Sequence, residues 1–349
     1  MSIWSQAKAM AAQTPPERNR YVDFLRAVSI LVVVTGHWLI AGFYYVAGTL
    51  QFSDVLIIQP QTQWLTWIFQ VMPIFFIVGG YANGVSLESA RRKQQGYADW
   101  LATRLNRLVS PLLLLIVGWA GMALALQLSP LSGEIIQAGS RAALIPIWFL
   151  AIYILVVVLA PVTYRAWARF GFASFWTLAA LAAIVDVAFF VLDFRLAGWS
   201  NYFWVWLAVH QLGYAWRDGR FERPLRLLRN SAVAFVVLYV LIIEGPYPLA
   251  MVGSPDEDLS NTLPPKVTIL VLGIIQLGIL LALEKPMRRL LESVRIWAAT
   301  VLINSMIMTL YLWHLTVMVL VVALAWLTGG AGLGLEPGSA DWWLARPLW

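Results

Sequence analysis

Three residues that can carry charge, Asp23, Arg26 and His37, stand in the otherwise apolar stretch YVDFLRAVSILVVVTGHWLIAGFYYV, residues 21–46. Charged and titratable side chains are costly inside a bilayer, and those that membrane helices keep commonly mark a functional site. In an α-helix, eleven positions turn through about 1100°, so Arg26 and His37 share one face and lie about 16 Å apart along the axis. Asp23, three positions before Arg26, is spaced to pair with its guanidinium group.

This spacing predicts an anion-binding group at the cytoplasmic edge of the helix and a proton acceptor near the middle of the bilayer. Arginine binds phosphate through a fork of N–H donors, and histidine has an unperturbed pKa suited to a general base near neutral pH. Taken separately, Arg26 is equally typical of an interface anchor, and His37 of a buried histidine bonded to a neighbouring helix. Their shared face favours the functional interpretation.

The composition predicts an all-α, polytopic transmembrane helix bundle. The chain has 349 residues, of which 60% are hydrophobic and 12% charged, and a soluble domain could not bury that much apolar surface. There is no cysteine, which excludes disulfides, thiolate metal sites and a cysteine acyl-enzyme. The net charge of +6 does not indicate a nucleic-acid partner, because the basic residues fall in short segments between apolar spans.

Nine apolar stretches approach or exceed the length of a membrane span, so about nine to ten spans are expected. They are residues 24–46, 62–87, 105–128, 145–164, 173–193, 200–216, 231–248, 265–284 and 297–327. The last stretch suits either one tilted helix or a helix with a short re-entrant piece.

Charge asymmetry predicts a cytoplasmic N-terminus. Of the 24 lysine and arginine residues, those in segments assigned to the outside are only Arg141, Arg195, Lys266 and Arg346, as the positive-inside rule requires. The expected organisation is a cytoplasmic tail at 1–20, a transmembrane domain at 21–328 and a short, extracytoplasmic tail at 329–349. The lipid bilayer is the first expected partner.

Five stretches in order along the chain resemble the acyltransferase-3 family of integral-membrane acyltransferases. The arginine, ten residues and histidine within DFLRAVSILVVVTGH, residues 23–37, are similar to that family's opening helix. The other four are MPIFFIVGGYANG at 72–84, RLNRLVSPLLLL at 104–115, WFLAIYILVVVLAP at 148–161 and YLWHLTV at 311–317. The resemblance covers nearly the whole chain.

The resemblance implies a reaction. Family members move an acyl group from a cytoplasmic acyl-CoA, here expected to be acetyl-CoA, to a hydroxyl of an envelope glycan, glycolipid or related acceptor. Arg26 and His37 match the family's essential pair. The expected location is the cell inner (plasma) membrane, as a multi-pass protein. There are two departures. Gly79 stands where many members have serine, so no hydroxyl nucleophile is available there. YILVV at 153–157 is uncharged where a subgroup has an acidic, glutamine-containing stretch, which leaves the acceptor open.

Other side chains are candidates for binding and relay. Arg104 and Arg107 are spaced to contact CoA phosphates, although every cytoplasmic segment is basic. His314, Trp148 and His210 are candidates for acceptor binding or proton relay, each with a structural alternative. A three-histidine zinc site is disfavoured because no carboxylate second shell is visible, so no metal is expected.

Three further features have structural alternatives. Gly80 and Gly84 form a G-x-x-x-G pattern typical of close helix packing. Asp186 and Glu244, in the outer halves of their spans, are expected to face a wet external vestibule or to sit near the surface.

The function stays open between several classes. His37 is expected to act as a general base in direct transfer or as a transient acyl carrier, which sequential or ping-pong kinetics would separate. The alternatives to an enzyme are a proton-coupled transporter or flippase of an envelope precursor, and a non-catalytic membrane subunit. A membrane homodimer is also possible on this sequence.

Overall fold

The computed structural model describes residues 2–46, 49–129, 133–221, 223–253 and 258–346. These residues form sixteen α-helices and two strands. They are α1 (Ile3–Ala12), α2 (Arg20–Ile40), β1 (Ala41–Val46), β2 (Thr49–Asp54), α3 (Val55–Ile58), α4 (Thr66–Phe69), α5 (Met72–Arg92), α6 (Tyr97–Leu126), α7 (Gly133–Leu144), α8 (Pro146–Phe170), α9 (Phe172–Phe190), α10 (Asn201–Arg217), α11 (Pro224–Ile243), α12 (Val267–Ala282), α13 (Glu284–Leu290), α14 (Val294–Ser305), α15 (Ile307–Leu327) and α16 (Ala340–Ala345). Short 3-10 helices cover Pro60–Leu65 and Arg195–Ser200.

The helices confirm the predicted class, an all-α polytopic membrane protein. Within the described residues, seven helical segments are long and apolar enough to cross a membrane, or eight if α12 and α13, bent by 55°, form one span. The predicted count of nine to ten is higher because α10 has only 17 residues and α12 only 16. The predicted last span is two helices, since α14 and α15 are separated at Met306.

The first predicted span is too long at its C-terminal end. Helix α2 ends at Ile40, and the next six residues form β1, which pairs antiparallel with β2. Gly42 permits this pairing, because a Cβ atom there would lie 2.7 Å from the carbonyl oxygen of Ser53. Aromatic residues at 43–45 favour a strand over continued helix. An apolar run alone did not distinguish the two.

The chain divides into two compact units. The first unit holds Met1–Ser29, Gln70–Arg104 and Ile152–Ile307, and the second holds Ile30–Phe69, Leu105–Ala151 and Met308–Trp349. The predicted boundaries at 20/21 and 328/329 stay predictions, and residues 347–349 of the predicted C-terminal tail lie outside the described residues. In the first unit, α1 packs on α14, where the Trp297 indole donates to Thr14 at 2.9 Å.

The core of the first unit is α10, which packs against α5, α9 and α12. A Cβ atom on Gly80 would lie 1.9 Å from the carbonyl oxygen of His210, and one on Gly213 would lie 2.0 Å from that of Ile77. Only glycines allow the two backbones this approach. Gly84 also faces α10, with its Cβ position 3.1 Å from Arg217. The predicted packing role of Gly80 and Gly84 is confirmed.

Asp186 on α9 joins three segments of the first unit. Its carboxylate accepts hydrogen bonds from the Asn201 amide at 2.8 Å, the Tyr247 hydroxyl at 2.9 Å and the backbone N–H of Val267 at 2.8 Å. Asp186 is only 3% exposed, so it lies neither on the surface nor in an open vestibule, contrary to both expectations. Glu244, in contrast, is exposed.

Lys266, which precedes Val267 in the chain, is also buried, and this burial lowers the pKa of its ammonium group to about 8.

The second unit is held by contacts between helices and loops. The Trp119 indole on α6 donates to the Thr316 hydroxyl on α15 at 2.8 Å. The hairpin is tied to the C-terminal segment, because the N–H of Tyr45 donates to the carbonyl of Leu333 at 2.7 Å. These contacts join α6 to α15 and the hairpin to the segment that follows α15.

The Gly80 contact gives a stability prediction. Gly80→Ala places a methyl group against the His210 carbonyl, which belongs to helix backbone and cannot move aside, so we expect a loss of about 1–3 kcal/mol of stability. The measurement is the thermal midpoint in detergent, and its readout is the height of the monodisperse size-exclusion peak after heating. Gly121→Ala is the control, because its Cβ meets nothing within 4 Å. Equal midpoints for the two variants would contradict the packing role.

Candidate active site

The first unit holds a group of two arginines around one buried carboxylate. The Nε of Arg18 donates to Asp23 at 2.6 Å, and a guanidinium nitrogen of Arg26 lies 3.6 Å from the other carboxylate oxygen. Asp23 is 5% exposed, whereas 32% of the Arg26 side chain is exposed. The predicted Asp23–Arg26 pair is confirmed, and the Arg26 guanidinium is held in place yet open to a ligand.

Sequence reasoning missed Arg18, which is the closer partner of Asp23. Arg18 precedes α2, so no helical spacing relates it to Asp23. Its position follows from a turn in which the N–H of Arg18 bonds the carbonyl of Pro15 at 3.1 Å. The hydrogen bond to Asp23 raises the pKa of Arg18 above its usual value. Asp23 therefore neutralises only one of the two guanidinium charges beside it.

Arg104 at the start of the third predicted span also belongs to the first unit. It is half-buried on α6, where it donates to the carbonyl of Ala82 at 3.4 Å and lies 5.9 Å from the Trp100 ring. Arg107 is exposed and is assigned to the second unit.

Gly79 and Tyr153 are in direct contact across two helices of the first unit. A Cβ atom on Gly79 would lie 2.8 Å from the Tyr153 hydroxyl and ring. The bare backbone of α5 therefore makes room for a phenol from α8. Gly79 and the uncharged stretch at 153–157 were noted separately in the sequence, and in the structure they are in contact. The Tyr153 hydroxyl therefore lies beside position 79.

His37 and His314 form a hydrogen-bonded pair in the second unit. The Nδ1 of His37 lies 2.9 Å from the carbonyl of Val33 and 3.3 Å from the Nε2 of His314. The Nδ1 of His314 lies 2.8 Å from the carbonyl of Tyr311. The imidazole ring centroids are 5.1 Å apart. The two candidates from distant parts of the sequence are therefore brought together.

These contacts assign a tautomer to each ring. A carbonyl oxygen only accepts hydrogen bonds, so both Nδ1 atoms carry protons. The bare Nε2 of His314 then accepts from the Nδ1–H of His37, which is shared with the carbonyl of Val33. The lone pair of His37 is left on Nε2. The pair presents a base of fixed orientation, backed by an acceptor that would stabilise a positive charge on the ring.

Aromatic rings connect His314 to Trp148 within the second unit. The Tyr311 hydroxyl donates to the carbonyl of Pro146, and its ring lies 5.5 Å from that of Phe149 in an edge contact. Trp148 in turn meets Phe149 at 6.3 Å. The rings of Phe149 and Tyr311 therefore lie between the half-buried indole of Trp148 and the imidazole of His314.

His210 lies in the core of the first unit. It is 0% exposed, and its Nε2 accepts from the amide of Asn83 at 3.1 Å. Within the described residues, its Nδ1 has no hydrogen-bond partner. No group of three or more His, Asp or Glu side chains in the described part of the chain is placed to hold a metal ion. His210 thus shares its environment with Asn83 and Tyr214, whose ring is 5.0 Å away.

Comparison with known proteins identifies one family. A family model described as an acyltransferase domain, of acyltransferase-3 type, matches residues 19–347. No curated protein and no solved structure matches the chain. The match includes every candidate residue named above except Arg18.

The His210 environment gives a second stability prediction. Asn83→Leu and His210→Phe each leave a buried polar group without its partner, at a cost of about 1–3 kcal/mol. The double variant removes both groups, so we expect it to lose less than the sum of the two single losses. Thermal midpoints of the four proteins form a double-mutant cycle. Additive losses would show that the two side chains do not interact.

Proposed function

Because the chain belongs to the acyltransferase-3 family, a family of membrane acyltransferases, we propose that it transfers an acetyl or other short acyl group from cytoplasmic acyl-CoA to a hydroxyl of an envelope sugar, glycolipid or related acceptor. Its proposed location is the inner (plasma) membrane, with the N-terminus in the cytoplasm. The observation that carries the proposal is the His37–His314 pair, because it supplies an oriented base inside a membrane protein that has no cysteine.

His37 acts as the general base in direct transfer. Its Nε2 takes the proton of the acceptor hydroxyl while the hydroxyl oxygen bonds to the thioester carbonyl carbon. The carbon–sulfur bond then breaks, and the leaving CoA thiolate recovers the proton from the imidazolium. His314 Nε2 and the Val33 carbonyl both accept from the Nδ1–H, and these bonds strengthen when the ring is positive. General-base catalysis of this kind contributes about 10²–10⁴-fold in rate.

The same nitrogen also suits the alternative in which His37 carries the acyl group. In that sequence Nε2 attacks the thioester first, CoA leaves, and the acceptor hydroxyl then displaces the histidine. Direct transfer needs one fewer covalent step. Initial-rate kinetics separate the two, since an acyl carrier gives ping-pong behaviour.

Arg26 binds the donor. CoA carries several phosphates, and a guanidinium fork suits phosphate oxygens. Asp23 orients Arg26, and the exposed part of its side chain is free to meet a ligand. The group of Arg18, Arg26 and Asp23 has a net charge of +1, so an anionic donor is favoured there. Arg104 and Arg107 supply further positive charge within the first half of α6.

The residues proposed for acceptor binding or proton relay are supported by fewer contacts than those proposed for donor binding. Trp148 is half-buried and offers an indole face on which a sugar could stack, while the contact of His314 with His37 suits it to relay and positioning. His210 is better explained by packing between α5 and α10, because it is fully buried beside Asn83.

The central test is acyl transfer by purified protein in liposomes. Labelled acetyl-CoA is supplied with an envelope glycan and lipid extract. We expect label in an acceptor with the wild type and a loss of about 10²–10⁴-fold in His37→Ala. Arg26→Ala should chiefly raise the KM for acyl-CoA, with Arg26→Lys in between. Absence of transfer and of CoA binding, with longer acyl-CoAs also tried, would favour a transporter or flippase instead.

The role of His314 is tested by two variants, one without and one with a hydrogen-bond acceptor. His314→Phe removes one of the two acceptors of the His37 Nδ1–H and leaves the Val33 carbonyl, so we expect kcat to fall by about 10-fold while the KM for acyl-CoA stays unchanged. His314→Gln retains an acceptor oxygen and should recover part of kcat. Equal losses in both variants, or a changed KM for acyl-CoA, would argue against a positioning role.

A further inference from the structure

Arg18 in the first unit is the more accessible of the two guanidinium groups beside Asp23. Its side chain is 52% exposed, against 32% for that of Arg26. The Nε of Arg18 donates to Asp23 at 2.6 Å, and its two terminal nitrogens form no hydrogen bond to any residue that the structure describes. Arg18 is therefore held in place by one nitrogen and keeps its two terminal nitrogens for a ligand.

The segment that carries Arg18 is anchored on both sides of it and of Asp23. The amide of Asn19, the next residue after Arg18, donates to the Tyr81 hydroxyl on α5 at 3.1 Å. The amide of Asn304 on α14 donates to the backbone carbonyl of Asp23 at 2.8 Å. Because these bonds already order the backbone, a ligand of the two guanidinium groups would bind at a smaller cost in conformational entropy.

The charges around Asp23 favour a doubly negative ligand. Two guanidinium groups share one carboxylate, which leaves a charge of +1, and the N-terminal end of α2 adds the positive end of the helix dipole. Glu17, which precedes Arg18, is exposed and forms no ion pair with any described residue. A phosphomonoester carries about −1.5 to −2 charges near neutral pH and three terminal oxygens. It can therefore accept hydrogen bonds from both guanidinium forks at once, whereas a phosphodiester offers fewer oxygens and a single negative charge.

We propose that Arg18, together with Arg26, binds the terminal phosphomonoester of the acyl donor. In CoA this group is the phosphate on the ribose, because the other two phosphates form the diphosphate bridge and are not monoesters. Arg18 is then a specificity-determining residue that favours donors with this phosphate over identical donors that lack it. The assignment rests on the proposed transfer from acyl-CoA, and it adds a residue outside the part of the chain that the family model matches.

The test compares two ligands that differ only in the ribose phosphate, CoA and dephospho-CoA. Equilibrium binding of each is measured on the purified protein in detergent, without an acceptor. We expect the wild type to bind CoA about 10-fold more tightly than dephospho-CoA, as a hydrogen-bonded charge pair requires. Arg18→Gln should weaken the binding of CoA by about the same factor and leave the Kd of dephospho-CoA unchanged. This double comparison isolates the contact of Arg18 with the phosphate.

Two further variants make the result specific. Arg195→Gln removes another exposed arginine whose Nε lies near an aspartate, Asp193, at 3.2 Å, and it should bind both ligands as the wild type does. Arg18→Lys keeps the positive charge without the fork of N–H donors, so it should recover part of the preference for CoA.

The outcomes separate this inference from the proposed function, because acyl transfer is measured in the same preparations. A role of Arg18 in folding, or in holding Asp23 alone, would weaken the binding of both ligands equally. That result, or a wild type that transfers the acyl group yet binds CoA and dephospho-CoA equally well, overturns the inference and leaves acyl transfer standing. A wild type that neither transfers the acyl group nor binds CoA overturns both.

Discussion

The cost of burying a charge or an unpaired polar group governs where this chain places its polar side chains. Asp23 is 5% exposed and touches two guanidinium groups. Asp186 is 3% exposed and receives three hydrogen bonds. An isolated carboxylate in either position would cost several kcal/mol. Each acid is thus fixed by its partners, and the helices that carry those partners are fixed with it.

The same constraint explains why the histidine pair is suited to catalysis. An imidazole among apolar helices must place its N–H on an acceptor, and His37 uses a backbone carbonyl of its own helix together with His314. This leaves a defined lone pair and a ring that cannot easily turn. The same hydrogen bonds that stabilise the pair also fix the direction of the His37 lone pair. A base held in this way needs no reorganisation before it accepts a proton, which favours catalysis.

Much of this was predictable from the sequence, and the limits are physical. Spacing along one helix predicted the Asp23–Arg26 pair, and hydropathy predicted most of the spans, because both depend on local periodicity. Arg18 was missed because a turn, not a helix, brings it to Asp23. The contact of Tyr153 with Gly79 joins two helices, so no spacing in the sequence encodes it. The end of α2 at Ile40 was missed because an apolar strand and an apolar helix share a composition.

The buried polar groups of this chain differ in how completely their hydrogen-bonding capacity is satisfied. Asp186 has a partner for each carboxylate oxygen, so nothing is gained by adding another molecule there. The Nδ1 of His210 and the Nε1 of Trp38 are buried without a partner among the described residues. Each such group lowers the free energy of unfolding, so the packing of the helices that carry it must supply the compensating stability.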